Sequence, residues 1–200
     1  MAALEDKYRS IAAPSEGVFK DRGSRFLALA YPVSSEEEIK DIVQSLKAKY
    51  HDARHHCYAW RLGLSGASFR SSDDGEPSGS AGKQILGRLE SRGLSDVLVV
   101  VVRWFGGIKL GVPGLIRAYR ESTEEALAAA VEIEKTAEVP FTLSFGYLSM
   151  NDVMKVLKDL SLPSLSLECG ERCVLSTRVR LTAVEDFKAR TGRIADCVFQ

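Results

Sequence analysis

With 200 residues, 45% of them hydrophobic, the chain is long enough to bury a core without disulfide or metal staples, as one large domain or two small ones. Twenty-seven Lys and Arg balance twenty-seven Asp and Glu, so no global field draws it to nucleic acid or to an anionic membrane. Polyanion binding must come from a local patch. No apolar run is longer than that of Val97 to Val102, which falls far short of the about 20 residues that cross a bilayer, so no membrane span is expected. The start, MAALEDKYRS, has no basic n-region followed by an apolar h-region, and no lipidation signal appears at either end. Together with four scattered cysteines, Cys57, Cys169, Cys173 and Cys197, these features point to a reducing cytoplasm.

Ser24 to Tyr31 (SRFLALAY) reads as a strand, and Ser34 to Tyr50 as a helix with Ile39, Ile42, Val43 and Leu46 on one face. Ser35 and Glu38 have capping-box spacing, each able to satisfy an orphan N–H of the first turn. Arg54 to Leu62 (RHHCYAWRL) alternates and is rich in aromatics, which predicts a strand. A polar, glycine-laden loop, Ser71 to Gly79, then leads into a helix over about Ser80 to Arg92. Its Ile85, Leu86 and Leu89 share a face, and Gly93 stops it. Asp96 to Phe105 (DVLVVVVRWF) is apolar on both faces and is therefore expected to be a central strand. Gly106 to Gly114 reads as a turn, with Pro113 placed for the first position of a helix that runs to about Val131.

The composition shifts at Glu132 to Val139, which marks a boundary between a first domain, 1–134, and a second, 135–200. The second reads as strand 139–147, helix 150–160, strands 164–169 and 173–181, helix 183–191 and a terminal strand 194–199. This βαββαβ order is the ferredoxin-like arrangement, and the whole chain is assigned to the α+β class.

The loop DDGEPSGSAGK, residues 73–83, places acids, glycines and hydroxyls ahead of a helix start. Free N–H groups around Ser78, Gly79, Ser80 and Gly82, the helix dipole and Lys83 would favour an anion there. An ordinary capped turn uses the same residue types. Asp73, Asp74 and Glu76 are a candidate Mg²⁺ set, the sole cofactor the loop suggests. The second constellation is RWFGGIKLGVPGLIRAYR, residues 103–120. Arg103, Lys109, Arg117 and Arg120 are candidates to converge on phosphates, with Trp104 or Phe105 available for stacking, although aromatics beside a turn also fill cores. Across 73–120 there are seven Lys or Arg and five Asp or Glu, so the patch is only mildly basic.

A conventional hydrolase or dehydrogenase is unsupported by the motifs. GxxxxGK[ST] is absent, as are a G-x-S-x-G elbow, an HExxH helix and a GxGxxG fingerprint. On a strand His55 and Cys57 share a face and His56 takes the other, which gives no zinc signature. Cys169 and Cys173 lie four apart across a predicted hairpin turn and read as small buried or half-buried residues.

DDGEPSGSAGKQIL followed by VVVVRWFGGIKLGVPGLIRAYRESTEEAL resembles the signature region of the IMPACT/YigZ family. SRFLALAYPVSSEEE and HHCYAWRLG upstream, and the small second domain downstream, extend the likeness over nearly the whole chain. The resemblance implies a first domain of ribosomal protein S5 domain 2-like fold. It also implies a ferredoxin-like second domain similar to the fifth domain of the ribosomal translocase. Eukaryotic members regulate the amino-acid-starvation branch of translational control and carry an RWD domain, which this chain is expected to lack. Many relatives place a small or hydroxyl residue and a glycine where this chain has Val112 and Pro113, and the proline removes one backbone donor.

The expectation is a non-catalytic cytoplasmic binding protein, associated with RNA, the ribosome or a translation-related protein. The alternatives are a Mg²⁺-dependent phosphate-ester or nucleotide-handling enzyme and a protein-interaction module. The oligomeric state is not legible in the sequence.

Overall fold

In a computed structural model, described over residues 6–200, the chain forms two compact units, Tyr8–Lys135 and Thr136–Gln200, the latter together with the described residues before Tyr8. Residues 1–5, which open the expected first domain and the expected leader-free start, lie outside the described residues.

The first unit is organised by its most apolar segment. Strands β1 (Lys7–Ile11), β2 (Ser15–Asp21) and β3 (Ser24–Pro32) precede helix α1 (Glu36–Lys49), followed by β4 (His55–Leu62), β5 (Ser68–Ser72), α2 (Gly82–Ser91), β6 (Val97–Trp104), α3 (Gly111–Ala128) and β7 (Glu132–Thr136). The main sheet has the order β2-β3-β6-β4-β5, antiparallel throughout, and β1 pairs with β7 in a separate two-stranded sheet. Strand β6 is central, and Val97 to Val102 have no exposed surface.

Helices cover both faces of the sheet, which explains a continuous apolar run in an antiparallel strand. On one face Leu27, Leu29, Trp60, Leu98, Val100 and Val102 pack with Ile39 and Leu46 of α1. On the other, Ala28, Ala30, Cys57, Ala59, Val99 and Val101 pack with Ile85 and Leu89 of α2 and Leu115 and Tyr119 of α3. The small side chains on that face let two helices lie close to the sheet.

Three details differ from expectation. Strands β1, β2 and β5 carry little hydrophobic alternation and were not evident in the sequence; β2 and β5 are the edges of the sheet, β5 mostly exposed and β2 alternating between half-buried and exposed positions. The capping box at α1 is staggered: Ser35 Oγ accepts the Glu38 N–H at 3.2 Å, but Glu38 reaches back to the N–H of Ser34 at 2.8 Å, not to that of Ser35. Pro113 is the third residue of α3 and not the first, still in the turn where no intrahelical N–H bond is required.

The second unit contains β8 (Glu138–Phe145), α4 (Met150–Asp159), β9 (Ser166–Cys169), β10 (Cys173–Arg180), α5 (Val184–Thr191) and β11 (Val198–Phe199). Its sheet has the order β11-β8-β10-β9 and is antiparallel. Leu143, Phe145, Leu175 and Val179 on the strands pack against Val153 and Leu157 of α4 and Phe187 of α5. The polar stretch at 132–139, where the composition shifts, forms β7 and the first residues of β8.

Gly106, in the signature turn, is fixed by packing. A Cβ added there would lie 1.9 Å from the carbonyl carbon of Gly23, in the β2–β3 turn, and 2.2 Å from the nitrogen of Ser24. These obstacles are backbone atoms, and no rotamer change relieves them. Gly106→Ala is expected to destabilise the protein by about 3 kcal/mol or more, read as a lower midpoint in chemical denaturation.

Candidate functional site

The three acids of the loop after β5 reach three different elements. Asp73 Oδ1 accepts the N–H groups of Ala81 at 3.1 Å and Gly82 at 2.8 Å, and Oδ2 accepts that of Gly79 at 2.9 Å. The start of α2 therefore does bind an anion, and that anion is the protein's own carboxylate. Ser80 is buried, and its hydroxyl donates to the Pro77 carbonyl at 2.7 Å. Gly82 is also buried, where a Cβ would lie 2.7 Å from the Ser72 backbone. The expectation that Ser80 and Gly82 present free donors to a ligand is thus corrected: their surroundings are protein.

Asp74 accepts the Lys47 ammonium at 2.8 Å and the His56 N–H at 2.7 Å. Burial pushes the Asp74 carboxyl up, but the bonds from Lys47 and His56 outweigh it and leave the group below its ordinary value. Glu76, with only 3% of its side chain exposed, accepts Arg103 Nη1 at 2.5 Å and the Tyr119 hydroxyl at 2.8 Å. The acids diverge, and among the described residues no group of three His, Cys, Asp or Glu could hold a metal ion. The candidate Mg²⁺ set of Asp73, Asp74 and Glu76 is not assembled.

The basic residues also separate. Arg103 is buried beside Glu76, with its guanidinium carbon 5.4 Å from the centre of the Phe26 ring and 5.8 Å from that of Phe105. Arg117 pairs with Asp21 at 2.7 Å, away from both clefts described below. Arg120 Nε donates to the Gln84 side chain at 2.8 Å. Lys83 and Lys109 are exposed and make no ion pair among the described residues.

Two clefts result. One, of about 470 Å³, is lined by Arg54, His55, Glu76, Arg103, Phe105 and Lys109, with an apolar wall from Leu110, Val112 and Leu115. The other, about 750 Å³ and more polar, is lined by Ser78, Gly79, Lys83, Gln84, Arg88 and Arg120 among others. The residues expected to form one anion-binding surface are thus dispersed: Arg103 and Lys109 line the first cleft, Ser78, Gly79, Lys83 and Arg120 the second, and Ser80, Gly82 and Arg117 neither.

Arg54 and His55 were not evident as site residues. They enter the first cleft because β4 pairs with β6 with His55 directly opposite Arg103, a register that the sequence of β4 does not display. The His55 Nδ1 lies 2.8 Å from the Asp74 carbonyl, which can only accept, so Nδ1 carries the hydrogen. Its Nε2 is 4.0 Å from Glu76. Cys57 is on the same strand face, buried, 3.0 Å from the Asp73 carbonyl and 3.2 Å from the Tyr119 hydroxyl. Burial pushes its thiol up to about 12, so it stays protonated and is no nucleophile at neutral pH.

Residues 22–127, which contain both clefts, match the Impact N-terminal domain. The IMPACT family member YigZ of Escherichia coli is 33% identical over 90% of this chain and 89% of its own length. The chain belongs to the IMPACT family. A second relative, the IMPACT family member YvyE of Bacillus subtilis, is 45% identical over 52% of this chain and 48% of its own length. The crystal structure of a hypothetical protein with 30% identity superposes with a TM-score of 0.74, covering 98% of this chain and 97% of that one. No helix among the described residues of this family member is long and apolar enough to cross a membrane.

Two consequences can be measured. Arg103→Met leaves the Glu76 carboxylate buried without its cation, and is expected to cost about 3–5 kcal/mol in chemical denaturation. His56 supplies a pH dependence. Burial holds its imidazole below the ordinary value of 6.5 against the opposing pull of Asp74, and its Nε2 is buried without a partner. Below about pH 6.5 the unfolded chain takes up a proton that the folded chain does not, so stability falls as the pH falls through that value. His56→Gln is expected to flatten the dependence of the denaturation midpoint on pH between about 7 and 5.5.

Proposed function

We propose that this IMPACT family member is a non-catalytic cytoplasmic binding protein of translation or its regulation. Its 470 Å³ cleft takes the phosphate backbone of single-stranded or ribosomal RNA. The observation that carries the proposal is that Arg54 and Lys109, both exposed and without ion pairs among the described residues, line one cleft beside the exposed ring of Phe105. Unpaired cations next to an exposed aromatic suit a phosphodiester with a base that stacks. The cleft's one acid, Glu76, is already neutralised by Arg103. The family likeness, with its implied part in translational control, directs the choice of RNA over other anions.

We also assign the unit Tyr8–Lys135 to the S5 domain 2-like fold and the unit Thr136–Gln200 to the ferredoxin-like fold, both recurrent in translation factors. The order of elements in the second unit, βαββαβ, and its β11-β8-β10-β9 sheet support the second assignment. Function does not follow from fold alone and rests on the cleft.

The test is binding of labelled single-stranded RNA and of ribosomes across a salt series. Arg103 is unsuitable as a probe, because its loss unpairs a buried carboxylate. The double variant Arg54→Gln, Lys109→Gln leaves the core intact. It is expected to weaken binding at least tenfold and to make the log–log salt slope shallower by about 1.4, at about 0.7 per lost phosphate contact on a single strand. Affinity and slope equal to those of the wild type would overturn the site.

A second reading has its own observation. Phe105, Ile108 and Val112 are 47%, 55% and 47% exposed, an apolar turn that also suits a protein partner. Ribosome binding that survives high salt but is lost in Phe105→Ala, Ile108→Ala favours that reading.

A further inference from the structure

Two of the four cysteines face each other. Cys169 ends β9 and Cys173 begins β10, and the two are directly opposite in the antiparallel ladder. Both thiols are free, and their sulfurs lie 2.7 Å apart. Opposed residues of an antiparallel pair have Cα separations of about 4.5 or 5.5 Å, both inside the range that a disulfide spans without backbone movement. Cys169 is exposed, whereas Cys173 is buried against the core of the second unit. One thiol is therefore open to reagents in solution and the other waits behind it.

The surroundings hold this arrangement. Arg172, in the turn between the two cysteines, donates from Nε to the Ser144 hydroxyl at 2.9 Å and from Nη1 to the Asp196 carboxylate at 2.7 Å. The turn is thereby anchored to β8 and to the segment before β11. Its contact with the Cys169 sulfur, and secondarily burial, raise the Cys173 thiol above its ordinary value. Cys169, the exposed sulfur of the pair, is the one a reagent in solution reaches first.

We propose that Cys169 and Cys173 form a peroxide-reactive dithiol site that closes to a disulfide across the β9–β10 turn. The Cys169 thiolate attacks the O–O bond of a hydroperoxide, ROOH, giving the sulfenic acid and releasing ROH. The Cys173 sulfur then attacks the sulfenic sulfur, forming the S–S bond and expelling hydroxide, which takes up the Cys173 proton as water. In total, two thiols and one peroxide give one disulfide, one ROH and one water. The product staples β9, an exposed four-residue edge strand, to β10. A dithiol reduces it again.

The test uses the full chain and hydrogen peroxide, quenched with catalase, followed by alkylation and intact mass after unfolding. The expected result is a loss of about 2 Da, a fall from four alkylatable thiols to two, and a Cys169–Cys173 linked peptide that a dithiol abolishes. Cys169→Ser, on the exposed strand, is expected to keep the fold and lose the change, whereas Cys197→Ser retains it. Retention of all thiols, oxidation of Cys169 to the sulfinic acid without a link, or a link to Cys57 or Cys197 would each overturn the proposal.

Discussion

The IMPACT-type unit depends on one buried ion pair. Glu76 and Arg103 meet at 2.5 Å with 3% and 8% of their side chains exposed, and Tyr119 adds a hydrogen bond at 2.8 Å. These residues come from a loop, the central strand and the last long helix of the unit. An isolated charge at that depth costs several kcal/mol, so each member requires the others in place. The loop acquires its conformation from this demand, and the first cleft acquires a wall. Arg103 is held between Glu76 and the rings of Phe26 and Phe105, which orients the exposed residues of the following turn.

That arrangement divides labour within the signature. Glycines 82 and 106 serve close backbone packing. Asp73, Asp74 and Glu76 tie the loop to α2, to β4 with α1, and to β6 with α3. The cations without an ion pair among the described residues form a smaller group, with Lys109 in the first cleft and Lys83 in the second, while Arg54 joins Lys109 from outside the signature and Phe105 leaves its ring exposed beside them. Most of the polar residues of this strongly patterned segment are thus engaged with other parts of the protein.

Much of the fold was legible where a physical period was strong. The valines of β6 demanded cover on both faces, and α1 and α2 displayed their stripes. Edge strands β2 and β5 offered no such signal, since an edge exposed on one side needs little apolar alternation. The site was legible in part. A loop rich in acids before a helix does indicate that the helix start requires negative charge, but sequence cannot say whether that charge is internal. Arg54 was hidden for a different reason: it is brought to the cleft by strand β4 pairing with a strand more than forty positions later, and long-range register leaves no local trace.

The carboxylate at the start of α2 has one more implication. A dissolved phosphate competing for the N–H groups of Gly79, Ala81 and Gly82 would have to displace Asp73, which is tethered only a few residues away. An intramolecular occupant is present in every folded molecule, and Asp73 already accepts all three N–H groups. The helix start is therefore occupied from within, and the carboxylate that fills it also ties the loop to the first turn of α2, so that one residue serves as both cap and strut.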